Sequence, residues 1–247
     1  MNDDPMIIDI NTCFGQNPAD SRDRSLELLE TILDKHNVHR AMTYSLRGVL
    51  YDFVSGNDET LAVCEECEGL IPVATIDPRR HFGCLDEVER CVDRGVGAFR
   101  FFPDQQGWTI DSEPFMRICE EIAETAASVM LPAGSAGHQS LIAERIAPFG
   151  FPIVICGAGY ATNAETIAVV ASHDNVFCES HLINTPGTLE GLVWVAGPAK
   201  VLFGSNSPDR YFGAAHHMVE CAELDDDVKA RILAHNAIEH LGLENLV

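Results

Sequence analysis

Glu179 and His181 stand two residues apart in NVFCESHLIN, where a carboxylate can orient an imidazole or tune it as a general base. Such a base would serve water attack on an activated ester or lactone, provided a cation meets the developing oxyanion. Arg100, in GVGAFRFFP, offers that cation, and its guanidinium can grip a carboxylate through two parallel hydrogen bonds. Plainer roles compete with these. An imidazole can be satisfied by loop backbone, and an arginine in so acidic a chain can pair with a loop acid.

Other polar residues fall at the ends of apolar runs. Asp77 precedes Pro78 in ATIDPRR, where it either joins a site or fixes the turn. Arg79, Arg80 and His81 follow it and would add positive potential to the same rim. Asn11, Tyr44, Ser45 and Asn206 would line a pocket between the run ends. Cys13, Cys156 and His181 could meet as a zinc site, since zinc accepts thiolate and imidazole; the alternative is buried packing thiols. Cys64 and Cys67 have CxxC spacing without a second pair, and His216 and His217 diverge by about 100° on a helix. Neither reads as a metal site.

Eight short apolar runs would position these residues: Met6–Ile10, Arg40–Tyr44, Leu70–Thr75, Gly97–Phe102, Ala127–Leu131, Phe151–Cys156, Asn175–Glu179 and Lys200–Gly204. Their starts lie 34, 30, 27, 30, 24, 24 and 25 residues apart, with amphipathic helical patterns between them. Alternation at this spacing predicts an α/β fold, a single (β/α)₈ TIM barrel over residues 1–247. A doubly wound sheet would carry a glycine-rich phosphate turn near its start, and Gly15 stands alone there. The segment 225–243 reads as C-terminal closing helices, with acids at its helical start. Barrel enzymes place their chemistry at strand C-termini, where Glu179 and Arg100 fall.

Two of these run ends carry a family resemblance. Ile8-Asp9-Ile10-Asn11-Thr12-Cys13-Phe14-Gly15 follows the frame I-D-x-H-x-H-x-G, and Leu202-Phe203-Gly204-Ser205-Asn206-Ser207-Pro208 follows L-F-G-S-D-x-P. Asn236-Ala237 through Leu243 is similar to a common ending, N-A-x-x-x-L-G-L. The chain thus resembles the amidohydrolase superfamily, in its branch of compact decarboxylases and lactonases. The resemblance implies a divalent metal held by His-x-His on the first strand, one His after each of the fifth and sixth, and an Asp after the eighth. In this sequence those positions hold Asn11, Cys13, Pro132, Gly157 and Asn206. Pro132 and Gly157 offer no side-chain donor, and the Asn206 amide cannot act as a carboxylate base. The expectation is therefore no cofactor and no divalent metal in the family's arrangement. The function expected is a metal-independent hydrolase or lyase acting on a small carboxylate-bearing substrate. Its alternatives are a catalytically lapsed barrel that binds a metabolite or protein partner, and a metal-dependent hydrolase with a rebuilt Cys/His site.

Charge narrows the setting. The chain has 38 acidic and 16 basic residues for a formal charge of −22, and its three lysines are Lys35, Lys200 and Lys229. So acidic a surface with so little lysine predicts a halophile, whose salt screens the self-repulsion. It excludes nucleic-acid binding, which needs a basic footprint. No apolar stretch reaches the length of a membrane span, and the N-terminus lacks a basic leader region. Nine cysteines at irregular spacing point to reduced thiols and a cytoplasmic location. A homodimer is the default expectation from symmetry statistics.

Overall fold

Alternation of side chains across each strand builds two apolar layers at once. In the computed structural model, which describes residues 5–245, Met130 and Val154 face one cluster with Ile8, Met42, Val73 and Leu202. Their neighbours Val129, Leu131, Ile153 and Ile155 face a second cluster beneath the helices. This is the two-sided burial expected of a parallel sheet wrapped by helices. The N-terminal leader reading began on residues 1–4, which lie outside the described residues.

The strands are β1 (Ile8–Phe14), β2 (Arg40–Ser45), β3 (Leu70–Pro72), β4 (Ala74–Thr75), β5 (Ala98–Arg100), β6 (Ser128–Pro132), β7 (Ile153–Cys156), β8 (Val176–Glu179) and β9 (Val201–Leu202). They form two parallel ladders, β1-β2-β3 and β4 through β9 in sequence order. Only Val73 separates β3 from β4, and its N–H still donates to Thr43 O at 2.9 Å. The predicted third run is thus one stave interrupted in the middle. The ring returns to its start where Ile10 N–H donates to Phe203 O and Cys13 N–H to Ser207 O, both at 3.0 Å. Eight staves result, as the spacing of the runs requires.

β1 extends four residues beyond its first apolar stretch, through polar Asn11 and Thr12 to Cys13 and Phe14. Its pairing with β2 shifts register between Asp9 and Thr12. A bulge there reverses the alternation. Ile8 and Ile10 face the barrel interior, and after the bulge Cys13 faces it too. Asn11 is carried to the same side.

The helices follow the apolar spacing. Glu113–Ala123 buries Phe115, Ile118, Cys119 and Ile122, a single stripe at helical intervals. Leu26–Lys35 begins where the Ser25 hydroxyl accepts the Leu28 N–H, which satisfies one orphan donor of the first turn. The closing segment is helical over Asp226–Ala230, Arg231–His235 and Asn236–Leu241. Ala234, Ala237 and Leu241 pack into the interior cluster. Asn236 Nδ2 donates to Val201 O at 2.8 Å, so this plug covers the end of the barrel where β9 begins, opposite the mouth.

Candidate active site

β8 ends on Glu179, two residues beyond Phe177 and therefore on the same inward face. Its carboxylate is fully buried and heavily bonded. Oε1 accepts the His181 backbone N–H at 2.5 Å, and Oε2 lies 2.6 Å from His181 Nδ1. Oε2 also accepts Asn11 Nδ2 at 3.1 Å and Gly157 N–H at 3.2 Å. Burial alone would raise the Glu179 carboxyl, but the His181 ring, its backbone N–H and Arg100 together hold it below the ordinary value. An ionised carboxylate only accepts, so the hydrogen shared with Glu179 is carried on His181 Nδ1. No hydrogen bond to Nε2 occurs among the described residues.

Gly204 makes room for this carboxylate. A Cβ at Gly204 would stand 2.8 Å from both Cδ and Oε1 of Glu179, and closer still to Cγ. The glycine of GSNSP is therefore a packing requirement of the site.

Arg100 ends β5 on the inward face, beyond Ala98. Its Nη1 donates to Asn11 Oδ1. The guanidinium carbon lies 5.0 Å from the centroid of the Tyr44 ring and 5.3 Å from that of Phe102, within cation–π range. Asn11 thus joins the cation of β5 to the acid of β8. A cavity of about 260 Å³ opens at these strand ends, and Tyr44, Arg100, Phe102, Pro132 and Asn206 are among its lining residues.

The expected site residues fall into three groups. Arg100, Tyr44 and Asn206 share the mouth cavity. Asn11, Glu179 and His181 form the hydrogen-bonded chain behind it, and neither Glu179 nor His181 lines the cavity. Asp77 and Arg79 are not brought to either. Asp77 accepts the Arg79 N–H at 3.1 Å and pairs with the Arg79 guanidinium at 2.8 Å, which fixes the turn of Pro78–Arg80. Ser45 is spent locally as well, donating to Glu59 at 2.7 Å and capping the helix Leu46–Leu50.

The residues present do not fit a divalent metal in the arrangement implied by resemblance. Asn11 Oδ1 already faces a guanidinium, and Pro132 and Gly157 have no side-chain donor atoms. Among the described residues no group of three or more His, Cys, Asp or Glu is placed to hold a metal. Cys13, Cys156 and His181 are accordingly not assembled into the rebuilt site. Burial pushes both thiols up to about 12.

Asp9 is a site neighbour that the sequence reading passed over. It is fully buried, accepting the Ser205 N–H at 2.9 Å, the Ser205 hydroxyl, and the Asn11 N–H at 3.0 Å. Burial pushes its carboxyl up to about 7, the Ser205 and Asn11 bonds oppose this, and the Glu179 charge adds to it. The available signal was an acid inside the apolar run IIDI. Arg24 was also missed. Its side chain is 1% exposed and bonds Asp209 and Asp20, each at 2.6 Å, which ties the loop after β1 to the loop after β9.

Among solved structures, the chain is similar to the 2,6-dihydroxybenzoate decarboxylase from Rhizobium, with 12% identity, a TM-score of 0.73, and 97% of this chain and 99% of that one covered. A 5-carboxyvanillate decarboxylase from Novosphingobium aromaticivorans, complexed with manganese and 4-hydroxy-3-methoxy-5-nitrobenzoic acid, gives 14%, 0.75, and coverage of 97% and 96%. A probable 2-pyrone-4,6-dicarboxylic acid hydrolase from Acinetobacter baumannii with citric acid bound gives 13%, 0.68, and coverage of 96% and 99%. At these identities the likeness establishes the fold. A search of curated proteins by sequence finds no match. A model of the amidohydrolase family matches residues 53–243, which takes in every stave after β2 and the closing helices, though not the substituted strand β1. On that match, borne by a parallel barrel whose sequence frames already resembled it, the chain belongs to the amidohydrolase family.

Proposed function

We propose that this chain is a metal-independent enzyme, of hydrolase or lyase type, acting on a small carboxylate at the barrel mouth. The observation that carries the reading is the sequence of contacts Arg100–Asn11–Glu179–His181. It sets a fixed cation at the cavity and a polarised imidazole behind it. Arg100 holds the substrate carboxylate through its fork. Glu179 fixes the His181 tautomer, so that Nε2 takes a proton from water or substrate, and the charge this creates is stabilised by the buried carboxylate. The Asn206 amide can donate to a developing oxyanion but cannot serve as the base. The similar solved proteins are named for carboxylates, which supports the substrate class.

A specific observation favours a second reading, a carboxylate-binding barrel without turnover. The His181 side chain is only 6% exposed and does not line the cavity.

Turnover of small lactones, esters and carboxylates by protein purified without chelator separates these readings. The first expects activity that a chelator leaves intact. His181→Ala would then lower kcat, and Arg100→Met would raise KM by about tenfold to a hundredfold, the value of a charge-assisted pair. Ligand binding that survives His181→Ala, with no turnover by the unaltered chain, identifies the binding barrel. A stoichiometric metal that is lost on Cys13→Ala would overturn metal independence.

A further inference from the structure

The charges around the mouth cavity are unequal. Among the described residues Arg100 is its only lining cation, and Asp104 and Asp209 are both at its wall. Asp209 is neutralised by Arg24 at 2.6 Å and Arg22 at 3.3 Å. Asp104 lies exposed in the turn Pro103–Gln106, and no ion pair to it occurs among the described residues. Tyr44, Leu46, Leu50, Phe102 and Pro132 give the remaining wall its apolar surface, and Asn17, Gln105 and Asn206 add amide groups to it. The volume, about 260 Å³, falls below the range of about 300–1,000 Å³ that accommodates drug-sized ligands.

From these features we infer that the site selects an apolar monocarboxylate the size of one ring and discriminates against dicarboxylates, with Asp104 as a specificity-determining residue. The inference rests on the reading of this cavity as a carboxylate site. One carboxylate is matched by the Arg100 fork. A second carboxylate on the same small body finds no further cation among the described lining residues and has the exposed carboxylate of Asp104 at the wall instead. Like charges brought close at a binding site reject one another, by an amount that solvent limits because Asp104 is exposed. An apolar tail finds the Leu46, Leu50 and Pro132 walls instead.

Calorimetric titration of the intact chain, at one fixed salt concentration that keeps it folded, tests this with matched pairs: benzoate against isophthalate, and hexanoate against adipate. Each monocarboxylate should bind about tenfold or more tighter than its dicarboxylate partner. Asp104→Asn should narrow that gap mainly by strengthening the dicarboxylates. 1-Naphthoate should bind more weakly than benzoate. Dicarboxylates that bind as well as monocarboxylates, a gap unchanged by Asp104→Asn, or naphthoate binding as tightly as benzoate would overturn the inference, while Arg100-dependent benzoate binding left the carboxylate site standing. If benzoate and hexanoate do not bind, or bind Arg100→Met equally, the underlying site reading fails with it.

Discussion

Asn11 Nδ2 donates to Glu179 Oε2 at 3.1 Å across 168 residues of sequence. An ionised carboxylate can only accept, so this bond fixes which way the amide faces and turns its Oδ1 to the Arg100 guanidinium. The side chain is a dipole aligned between a buried anion and a cation, and the bulge of β1 is what aims it there. A histidine ligand in this place would have presented a lone pair to a metal. The amide presents its oxygen to a positive charge that the chain carries itself.

Removing that amide should therefore be costly. Asn11→Leu keeps the approximate volume but leaves Arg100 Nη1 without its acceptor and Glu179 without one donor. A loss of about 2–4 kcal/mol is expected, since charged groups left unsatisfied in the interior carry a large desolvation penalty. Urea denaturation measures it, and an unshifted midpoint would mean that both groups have other partners.

Asp9 and Glu179, both fully buried, are shifted in opposite senses. Asp9 is raised from the ordinary carboxyl value of 3.8 to about 7, so between those pH values the folded chain binds a proton that the unfolded chain has released. Stability must then fall as pH rises through that window. Glu179 is lowered, so its contribution is present above the unfolded carboxylate value and is lost as acid protonates it. Asp9→Asn mimics the protonated form. It should flatten the decline in denaturation midpoint between about pH 4 and 7 and leave the acid limb, set partly by Glu179, in place. A slope unaltered by the substitution would contradict the assignment.

Much of the scaffold was legible in the sequence, and the reason is local. Burial on two faces writes itself as short apolar runs, and the wrapped helices write a stripe such as Phe115, Ile118 and Ile122. The runs misled where polar residues lie in strands: β1 continues through Asn11 and Thr12 because their partners are in the barrel. Glu179, His181 and Arg100 could be picked out by type and by their strand-end location. Their connection through Asn11 could not, because it joins three strands from distant parts of the chain. Asp77 and Arg79 had the right chemistry at a strand end and satisfy each other there. Residue type alone did not separate a turn lock from a ligand contact.

Gly204 offers a test of packing against the acid. A methyl group there would meet Glu179 Cδ and Oε1 at 2.8 Å, and the carboxylate is held by Asn11, Gly157 and His181 and has little freedom to yield. Gly204→Ala is expected to cost about 1–3 kcal/mol by overpacking. Gly213, in the helix Phe212–Cys221, has open space where its Cβ would project. Gly213→Ala should be neutral or gain about 0.5–1 kcal/mol of stability from lower unfolded-state entropy. Equal effects at the two sites, by thermal denaturation, would refute the steric argument.

Salt should govern the stability of the whole chain. With 38 acidic and 16 basic residues, at least 22 carboxylates have no basic partner to pair with, even if every Arg and Lys formed one pair. The pairs that do form are largely exposed, such as Arg117 with Glu113 and Glu120, and such pairs contribute little. Screening must then offset the surplus repulsion, and the Debye length shrinks from about 10 Å at 0.1 M to about 3 Å at 1 M. The thermal midpoint is expected to climb as KCl is raised from about 0.1 M to 2 M, steeply at first and then less so as repulsion is exhausted. Sucrose, which favours compact states without screening charge, should not reproduce the initial rise. A chain fully stable at 0.1 M KCl, or one that gains as much from sucrose, would show that its surface acids do not repel strongly enough to matter.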